Sequence, residues 1–130
     1  MLRDPEQSIT DGFDLHVIFQ ASELQEATKL FDAFLLFVQE KNIPHIRPKI
    51  FQKPVGPWPL PMWQVILPHH DGIYENLGRC TAWFMLNRSG FSVMIHPNSR
   101  EEDGIGGELE DHTKNMIWLG EPAVLKTEIF

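Results

Sequence analysis

The chain has 130 residues, of which 42% are hydrophobic and 22% are charged, and its formal net charge is −7 at pH 7. This length predicts a single domain over residues 1–130, and the acidic balance argues against nucleic acid and anionic membrane surfaces as partners, because phosphate contacts require clustered lysine and arginine. A single cysteine, Cys80, allows no internal disulfide, and the N-terminal residues carry no apolar segment, so we expect a cytoplasmic protein.

The first part of the chain predicts a strand, a helix and an edge strand, after a loose lead-in at residues 1–11. Residues 13–19 alternate between apolar and polar side chains, as a half-buried strand does. Ser22, with a glutamine three residues later, is the predicted N-cap of an amphipathic helix that ends near Asn42. Residues 45–51 form a short predicted strand that contains a proline, which favours the edge of a sheet.

The second part of the chain predicts two more strands, a second helix and two loops. In chain order these are a proline-rich loop around residues 53–61, a strand at 62–67, a helix that begins at Asp71 or Asn76 and ends near Arg88, a strand at 91–95, a polar loop at 97–115, and a final strand at 124–130. Residues 116–119 form a short apolar patch between the loop and the final strand.

This order of elements predicts a split βαβ arrangement, an α+β fold with a mostly antiparallel sheet and two helices on one face. The apolar side of each strand would face the helices. The opposite face would still carry apolar side chains such as Ile18 and Met94, so we expect a second copy of the chain or the C-terminal segment to cover it.

Three polar residues are predicted to project from that opposite face. Asp14 and His16 are two residues apart on a strand and therefore share a face, and His96 ends another strand with the same parity. A carboxylate and two imidazoles on one face are the ligand set of non-haem Fe(II) oxygenases. On spacing alone, the two histidines can equally be polar residues of a solvated sheet face.

A second candidate is His112, which follows Asp111 in the polar loop. An aspartate beside a histidine can orient the imidazole or raise its strength as a base. The alternative is a solvated loop histidine without a chemical role.

Several longer motifs occur in a fixed order along the chain: FDLHVIF, VGPWPLPMWQV, WFMLNRSGFSVMIHPN, then DH and WLGEP. Together they resemble the DOPA 4,5-dioxygenase family, and the resemblance spans residues 13–125. It implies a ferredoxin-like fold, a homodimer, and Fe(II)-dependent extradiol cleavage of a catechol by dioxygen. Another divalent metal could replace the iron on purification.

The resemblance also carries over individual residues. His16, His96 and His112 match histidines of the family motifs, which makes them the implied metal ligands, with His96 and His112 also counted as catalytic. Family members commonly have His-x-His on the first strand, where this chain has Asp14-Leu15-His16. Asp14 can replace an imidazole as a ligand, because carboxylate oxygens bind the same metals. We expect the three imidazoles to converge, with Asp14 at the edge of the site.

The candidate substrate-binding residues are Trp58, Gln64 and Asn98. The family pattern Gly-Pro-His-Pro is Gly56-Pro57-Trp58-Pro59 here. Trp58 cannot bind a metal, because indole offers only an N–H donor, but it can stack on an aromatic substrate or fill the pocket. Gln64 projects from the same face if the strand starts at Met62, and Asn98 directly follows His96-Pro97, so either can hydrogen-bond the substrate.

Two functions are consistent with these features. The first is a dioxygenase in which His112 accepts a catechol proton, with Asp111 as its possible orienting residue. The second is a non-catalytic or altered-function module that binds a small molecule and has lost part of the metal site. Asp14 as a competent ligand favours the first, and Trp58 as a pocket-filling residue favours the second.

Overall fold

The computed structural model describes residues 2–100 and 107–130. In chain order its elements are α1 (Pro5–Ser8), β1 (Ile9–Ile18), α2 (Leu24–Glu40), β2 (Ile46–Phe51), β3 (Met62–Leu67), α3 (Ile73–Asn87), β4 (Ser92–Ser99), α4 (Glu108–Thr113) and β5 (Ile117–Leu119). The strands form one sheet in the order β2-β3-β1-β4-β5, and neighbouring strands are antiparallel. The predicted α+β, ferredoxin-like architecture is confirmed, with β5 added beside β4. No helix in these described ranges is long and apolar enough to cross a bilayer.

Both long helices pack against one face of the sheet, and the main hydrophobic core lies between them and the strands. Helix α2 buries a stripe of apolar residues at helical spacing, which runs from Ala27 to Val38. Trp63 of β3 reaches this stripe from the sheet, and its indole N–H donates to the Ala27 carbonyl at 3.0 Å. The predicted placement of the two helices on one face is therefore confirmed.

The other face of the sheet carries a second apolar cluster, built from Ile18, Met62 and Met94 together with Trp58 of the proline-rich loop. Side chains from β5 and the segment after it, such as Leu125, pack against this cluster. The Lys126 backbone N–H donates to the Pro57 carbonyl at 2.8 Å, which ties this segment to the proline-rich loop. The C-terminal segment, which was one of the two expected covers, thus lies over this face.

The start of the chain is more ordered than the predicted loose lead-in. Residues Pro5–Ser8 form a short helix whose N-terminus is capped by the Asp4 side chain, and β1 begins at Ile9 rather than at Phe13. The early part of β1 contains a register shift before Phe13, which breaks the alternation that identifies strands in a sequence. Pairing of Ile9 with Ser99 of β4 supplies the backbone partners that the local pattern does not reveal.

The first long helix also begins differently. A 3₁₀ turn at Ala21–Glu23 precedes α2, and the Glu23 carboxylate accepts a hydrogen bond from the Gln20 backbone N–H at 2.8 Å. The capping residues are therefore Gln20 and Glu23 rather than Ser22 and the following glutamine. The spacing of three residues between the two capping side chains is as predicted, but the pair lies two residues earlier in the chain than the predicted pair.

The predicted loop at residues 97–115 and the predicted final strand both need correction. Strand β4 continues to Ser99, and α4 occupies Glu108–Thr113, while residues 101–106 lie outside the described residues. The fifth strand is the short apolar patch, Ile117–Leu119, and residues 124–130 contain a 3₁₀ turn at Thr127–Ile129 instead of a strand. Short strands depend on a neighbour with a free edge, and β4 offers that edge to β5.

Candidate metal centre

Asp14, His16 and His96 converge on the face of the sheet opposite the long helices. Asp14 and His16 share a face of β1, and Asp14 pairs directly with His96 across the β1–β4 ladder. The Nε2 atoms of His16 and His96 are 3.2 Å apart, and Asp14 Oδ2 lies 3.7 Å from the first and 3.6 Å from the second. Sheet register, rather than a local motif, therefore brings the three groups together.

The two imidazoles of this group are almost completely buried, each with 2% of its surface exposed. His96 Nδ1 lies 2.9 Å from the Pro97 carbonyl oxygen, which only accepts, so in the neutral ring Nδ1 carries the hydrogen and Nε2 carries the lone pair. Burial, followed by the nearby His96 and His112, holds the pKa of His16 well below its usual value. The His16 ring is therefore neutral at neutral pH, the form that binds metals.

Asp14 is held by a hydrogen bond from the opposite side. The side-chain amide of Asn98 donates to Asp14 Oδ1 at 2.7 Å, which leaves Oδ2 directed toward the two imidazoles. Asn98, which the sequence analysis assigned to substrate binding, thus touches the carboxylate directly. An outer residue that fixes a ligand in this way is a common part of metal sites.

His112 lies beside this group rather than within it. Its ring centroid is 4.0 Å from that of His96, whereas the donor atoms that lie within 4.8 Å of one another come from Asp14, His16 and His96. His112 Nδ1 lies 2.7 Å from the Glu108 carbonyl oxygen one turn earlier in α4, so the neutral ring has its lone pair on Nε2. Burial and then the nearby His96 lower the pKa of His112, which also keeps this ring neutral at neutral pH.

Asp111 does not orient His112, contrary to the expectation from the sequence. Its buried carboxylate accepts hydrogen bonds from the Ser99 backbone N–H at 2.8 Å, the Ser99 hydroxyl at 2.6 Å and the Asn115 amide at 3.0 Å. These bonds attach α4 to the end of β4, which is where His96 lies. The sequence analysis did not identify Ser99 as the partner of Asp111. The only sequence signal for it is its position two residues after Pro97.

The other two candidates for substrate contact lie on either side of His16. Trp58 is 3% exposed, and its ring centroid lies 4.4 Å from that of His16 and 6.2 Å from that of His112. Gln64 pairs with His16 across the β1–β3 ladder, and its amide donates to the Arg47 carbonyl at 3.4 Å. Trp58 therefore shields the imidazoles from water, while Gln64 is engaged with the neighbouring edge strand.

Three other reactive side chains, those of His45, His70 and Cys80, have partners or packing of their own. His45 Nδ1 lies 2.8 Å from the Ile43 carbonyl, and His70 lies within reach of the Pro68 carbonyl and the Asn76 amide. Burial raises the pKa of the Cys80 thiol to about 12, which makes it a packing residue of the core rather than a nucleophile.

The donors of this centre fit a divalent metal. With metal–nitrogen bonds of roughly 2.0–2.1 Å, neighbouring donors lie roughly 3.0–3.5 Å apart. The 3.2 Å between the two Nε2 atoms falls in this range, and Asp14 Oδ2 lies slightly beyond it, at 3.7 Å from His16 and 3.6 Å from His96. Two imidazoles and one carboxylate are the donor set of non-haem Fe(II) enzymes. Asp14, His16 and His96 therefore provide the chemistry that an Fe(II) site requires.

Comparison with known proteins identifies the family of this chain. The family model for the Dopa 4,5-dioxygenase family matches residues 13–129. An uncharacterized 21.2 kDa protein of Botryotinia fuckeliana is 31% identical over 121 residues, which are 89% of this chain and 61% of that protein. DOPA 4,5-dioxygenase of Amanita muscaria is 29% identical over 111 residues, which are 81% of this chain and 43% of that protein. The chain thus spans about half the length of these two curated relatives.

A solved structure shows the same fold. The crystal structure of a candidate dioxygenase from Nostoc punctiforme superposes with a TM-score of 0.75 at 25% sequence identity, and the alignment covers 98% of this chain and 96% of that one. The family model matches nearly the whole described chain, and this match identifies the family. The chain belongs to the Dopa 4,5-dioxygenase family.

Proposed function

We propose that this protein is an Fe(II)-dependent dioxygenase that cleaves a catechol ring in the extradiol position. The observation that carries the proposal is the convergence of Asp14 Oδ2 with the Nε2 atoms of His16 and His96, which are buried or half-buried and lie within 4.8 Å of one another. Family membership and the relative from Amanita muscaria, which is named as a DOPA 4,5-dioxygenase, support the same reaction class.

The proposed reaction combines one catechol and one dioxygen molecule and needs no external reductant. The ring bond between a hydroxyl-bearing carbon and its unsubstituted neighbour breaks, and the O–O bond breaks. One oxygen atom completes a carboxylic acid and the other forms an aldehyde, so the ring supplies all four electrons that dioxygen takes up. When bound, Fe(II) supplies Lewis acidity and redox chemistry for the two substrates.

His112 is the proposed base for a catechol hydroxyl. Its Nδ1–H is committed to the Glu108 carbonyl, so Nε2 is the atom that can accept the proton. Trp58 excludes water from the buried side of the imidazoles. Each of these roles belongs to a side chain that already lies against the proposed ligands.

A non-catalytic binding module remains the second candidate, and Trp58 is the observation that favours it. The indole ring lies where the family commonly has a histidine, and it packs closely on His16. In this alternative the indole occupies the space that the reacting ring would need, so the protein would bind metal and an aromatic ligand without turnover.

The test is anaerobic loading with Fe(II), followed by addition of catechol and oxygen. We expect one Fe(II) per chain in the wild type, and a loss of at least about tenfold in Fe(II) affinity in each of the variants Asp14→Ala, His16→Ala and His96→Ala. His112→Ala is expected to retain Fe(II) but to lose about 100-fold or more in kcat, because only the proposed base is removed. Oxygen uptake and loss of catechol absorbance measure turnover.

His45→Ala is the matched control, because it removes an imidazole that lies outside the centre. Its Fe(II) stoichiometry and turnover should equal those of the wild type. Fe(II) binding that survives the loss of both His16 and His96 would contradict the assigned ligands. Stoichiometric Fe(II) and catechol binding without oxygen uptake would instead favour the binding module.

A further inference from the structure

The hydrogen bond between His16 and His96 determines which nitrogen of each neutral ring carries the hydrogen. His96 Nδ1 donates its hydrogen to the Pro97 carbonyl, so His96 Nε2 has a lone pair. Two lone pairs that face each other across 3.2 Å repel, so His16 Nε2 must carry the hydrogen and donate it to His96 Nε2. His16 Nδ1 is then left with the lone pair.

His16 Nδ1 is buried and has no hydrogen-bond partner within residues 2–100 and 107–130. Metal binding through Nε2 needs a lone pair on that atom, so the hydrogen of the neutral ring must then lie on Nδ1. A histidine that binds a metal almost always donates this second N–H to a carboxylate, a carbonyl or water. The ligand set of this centre is therefore incomplete without an acceptor for His16 Nδ1.

The order of the strands determines on which side of His16 this acceptor must lie. Strand β1 lies between β3 and β4, and His16 Nε2 faces His96 of β4. The two nitrogens of an imidazole lie on opposite sides of its Cβ–Cγ axis, so Nδ1 lies on the side of β3. Gln64 of β3 pairs directly with His16, and directly paired residues share a face of the sheet with Cβ atoms about 4.5–5.5 Å apart.

The Gln64 side chain is half-buried and only weakly held. Its amide N–H donates to the Arg47 carbonyl at 3.4 Å, which is longer than an ordinary hydrogen bond, and its amide oxygen has no partner among the described residues. Arg47 has a φ of +51° and lies at a register shift in β2. Because an amide both donates and accepts, Gln64 can serve either form of His16, with the hydrogen on Nε2 or on Nδ1.

We propose that Gln64 is the positioning residue of His16, and that its amide oxygen accepts the Nδ1 hydrogen of His16 when this ring binds a metal. One proton moves from Nε2 to Nδ1 of the same ring, so the charge of His16 does not change. The amide turns from the Arg47 carbonyl toward His16. This inference rests on the proposed function, since it concerns a ligand of the same centre, and it gives Gln64 a role other than contact with the substrate.

Nitrogen-15 NMR of the imidazole rings tests the hydrogen positions directly, with Zn(II) as a diamagnetic probe of the centre. In the metal-free protein we expect the hydrogen on Nε2 of His16 and on Nδ1 of His96. In the Zn(II)-loaded protein we expect it on Nδ1 of both rings. A hydrogen on His16 Nδ1 before Zn(II) is added, or failure of the wild type to bind Zn(II), would overturn the inference.

Gln64→Met is the informative variant, because it removes both polar atoms of the amide and keeps a side chain of similar length. We expect Zn(II) affinity, measured by competition with a chelator, to fall about tenfold, since loss of an outer partner typically costs 10–100-fold. The His16 Nδ1 proton resonance of the loaded variant should move upfield, as the loss of its hydrogen bond requires. Gln64→Glu keeps an acceptor and should bind Zn(II) at least as tightly as the wild type. Gln39→Met, on the exposed side of α2, should leave the affinity unchanged.

The outcomes separate this inference from the proposed function. Unchanged Zn(II) affinity in Gln64→Met, or an equal loss of affinity in Gln64→Glu, would overturn the role of Gln64. A Zn(II) affinity that depends on Gln64, together with the expected shift of the His16 hydrogen, would support it even in a protein that takes up no oxygen. Oxygen uptake decides the proposed function separately.

Discussion

At the scale of single residues, the hydrogen bond from Asn98 to Asp14 is the contact that adapts this centre to a carboxylate ligand. The amide occupies Oδ1 at 2.7 Å, so the carboxylate presents Oδ2 to the imidazoles without having to rotate. An imidazole in place of Asp14 would have no such second oxygen for the amide to hold. The pairing of Asp14 with Asn98 thus suits a carboxylate at this position.

Removal of this amide should weaken the metal site without unfolding the protein. We expect Asn98→Ala to bind Fe(II) about tenfold more weakly than the wild type, because loss of an outer-shell partner typically costs 10–100-fold in metal affinity. Competition with a chelator under anaerobic conditions measures the affinity. Asn87→Ala, which removes an amide from the exposed surface of α3, should leave it unchanged. An unaltered Fe(II) affinity in Asn98→Ala would show that metal binding does not depend on the hydrogen bond from Asn98 to Asp14.

At the scale of elements, helix α4 is attached to the sheet by a buried carboxylate rather than by a large apolar face. Asp111 accepts three hydrogen bonds from Ser99 and Asn115, and these bonds place the helix so that His112 lies against His96. A six-residue helix has little stability of its own. The position of His112 therefore depends on Asp111 through the whole helix, not through a direct contact.

Asp111→Ala should consequently affect both stability and catalysis. The change leaves the Ser99 N–H and hydroxyl buried without this acceptor, and we expect the free energy of unfolding to fall by about 3 kcal/mol in urea titrations. Catechol turnover should fall in kcat, with Fe(II) stoichiometry retained, because the ligands are on β1 and β4. Glu110→Ala, which removes a surface ion pair with Lys114, should cost less than about 1 kcal/mol. Full turnover in the Asp111 variant would contradict this dependence.

At the scale of the whole molecule, the C-terminal segment covers the face that carries the proposed metal centre. Met116, Trp118, Ala123 and Leu125 pack against the second apolar cluster, and the Phe130 ring lies 4.7 Å from that of His112. This cover accounts for the burial of Met62 and Met94, which would otherwise be an exposed apolar patch. The chain thus supplies both the sheet that carries the site and the C-terminal segment that covers this face of the sheet.

A charge placed in this cover should open it. Leu125→Asp buries a carboxylate against apolar side chains, and we expect a loss of about 2 kcal/mol in stability together with increased binding of the dye ANS to the uncovered face. Val124→Asp is the matched control, because Val124 is 88% exposed and should accept the same charge at little cost. Equal stability of the two variants would mean that the segment contributes no cover.

The homodimer implied by the family resemblance stays a prediction for this chain. Because the C-terminal segment already covers the site face, a second copy would have to use another surface, and the outer sides of α2 and α3 expose Leu36, Met85 and Leu86. Sedimentation equilibrium should give twice the chain mass of 15.0 kDa. A single species at the chain mass would contradict the dimer.

The sequence by itself determined the features that follow from local periodicity. Alternation over residues 13–19 and the helical spacing from Ala27 to Val38 identify a strand and a helix wherever they are placed, because their apolar sides must be buried. The same parity rule put Asp14, His16 and His96 on one face. The motifs then indicated the family that the comparison shows.

Tertiary structure alone decided how these residues meet. Register between β1 and β4 sets Asp14 opposite His96, and a shift of one residue would have turned the pair to opposite faces. The partner of Asp111, the position of His112 outside the group of three donors, and the backbone conformation of Arg47 at the register shift in β2 all depend on contacts that a local pattern does not contain. Local patterns carry no record of such contacts, because hydrogen-bond partners and strand neighbours are chosen by the packing of the whole fold.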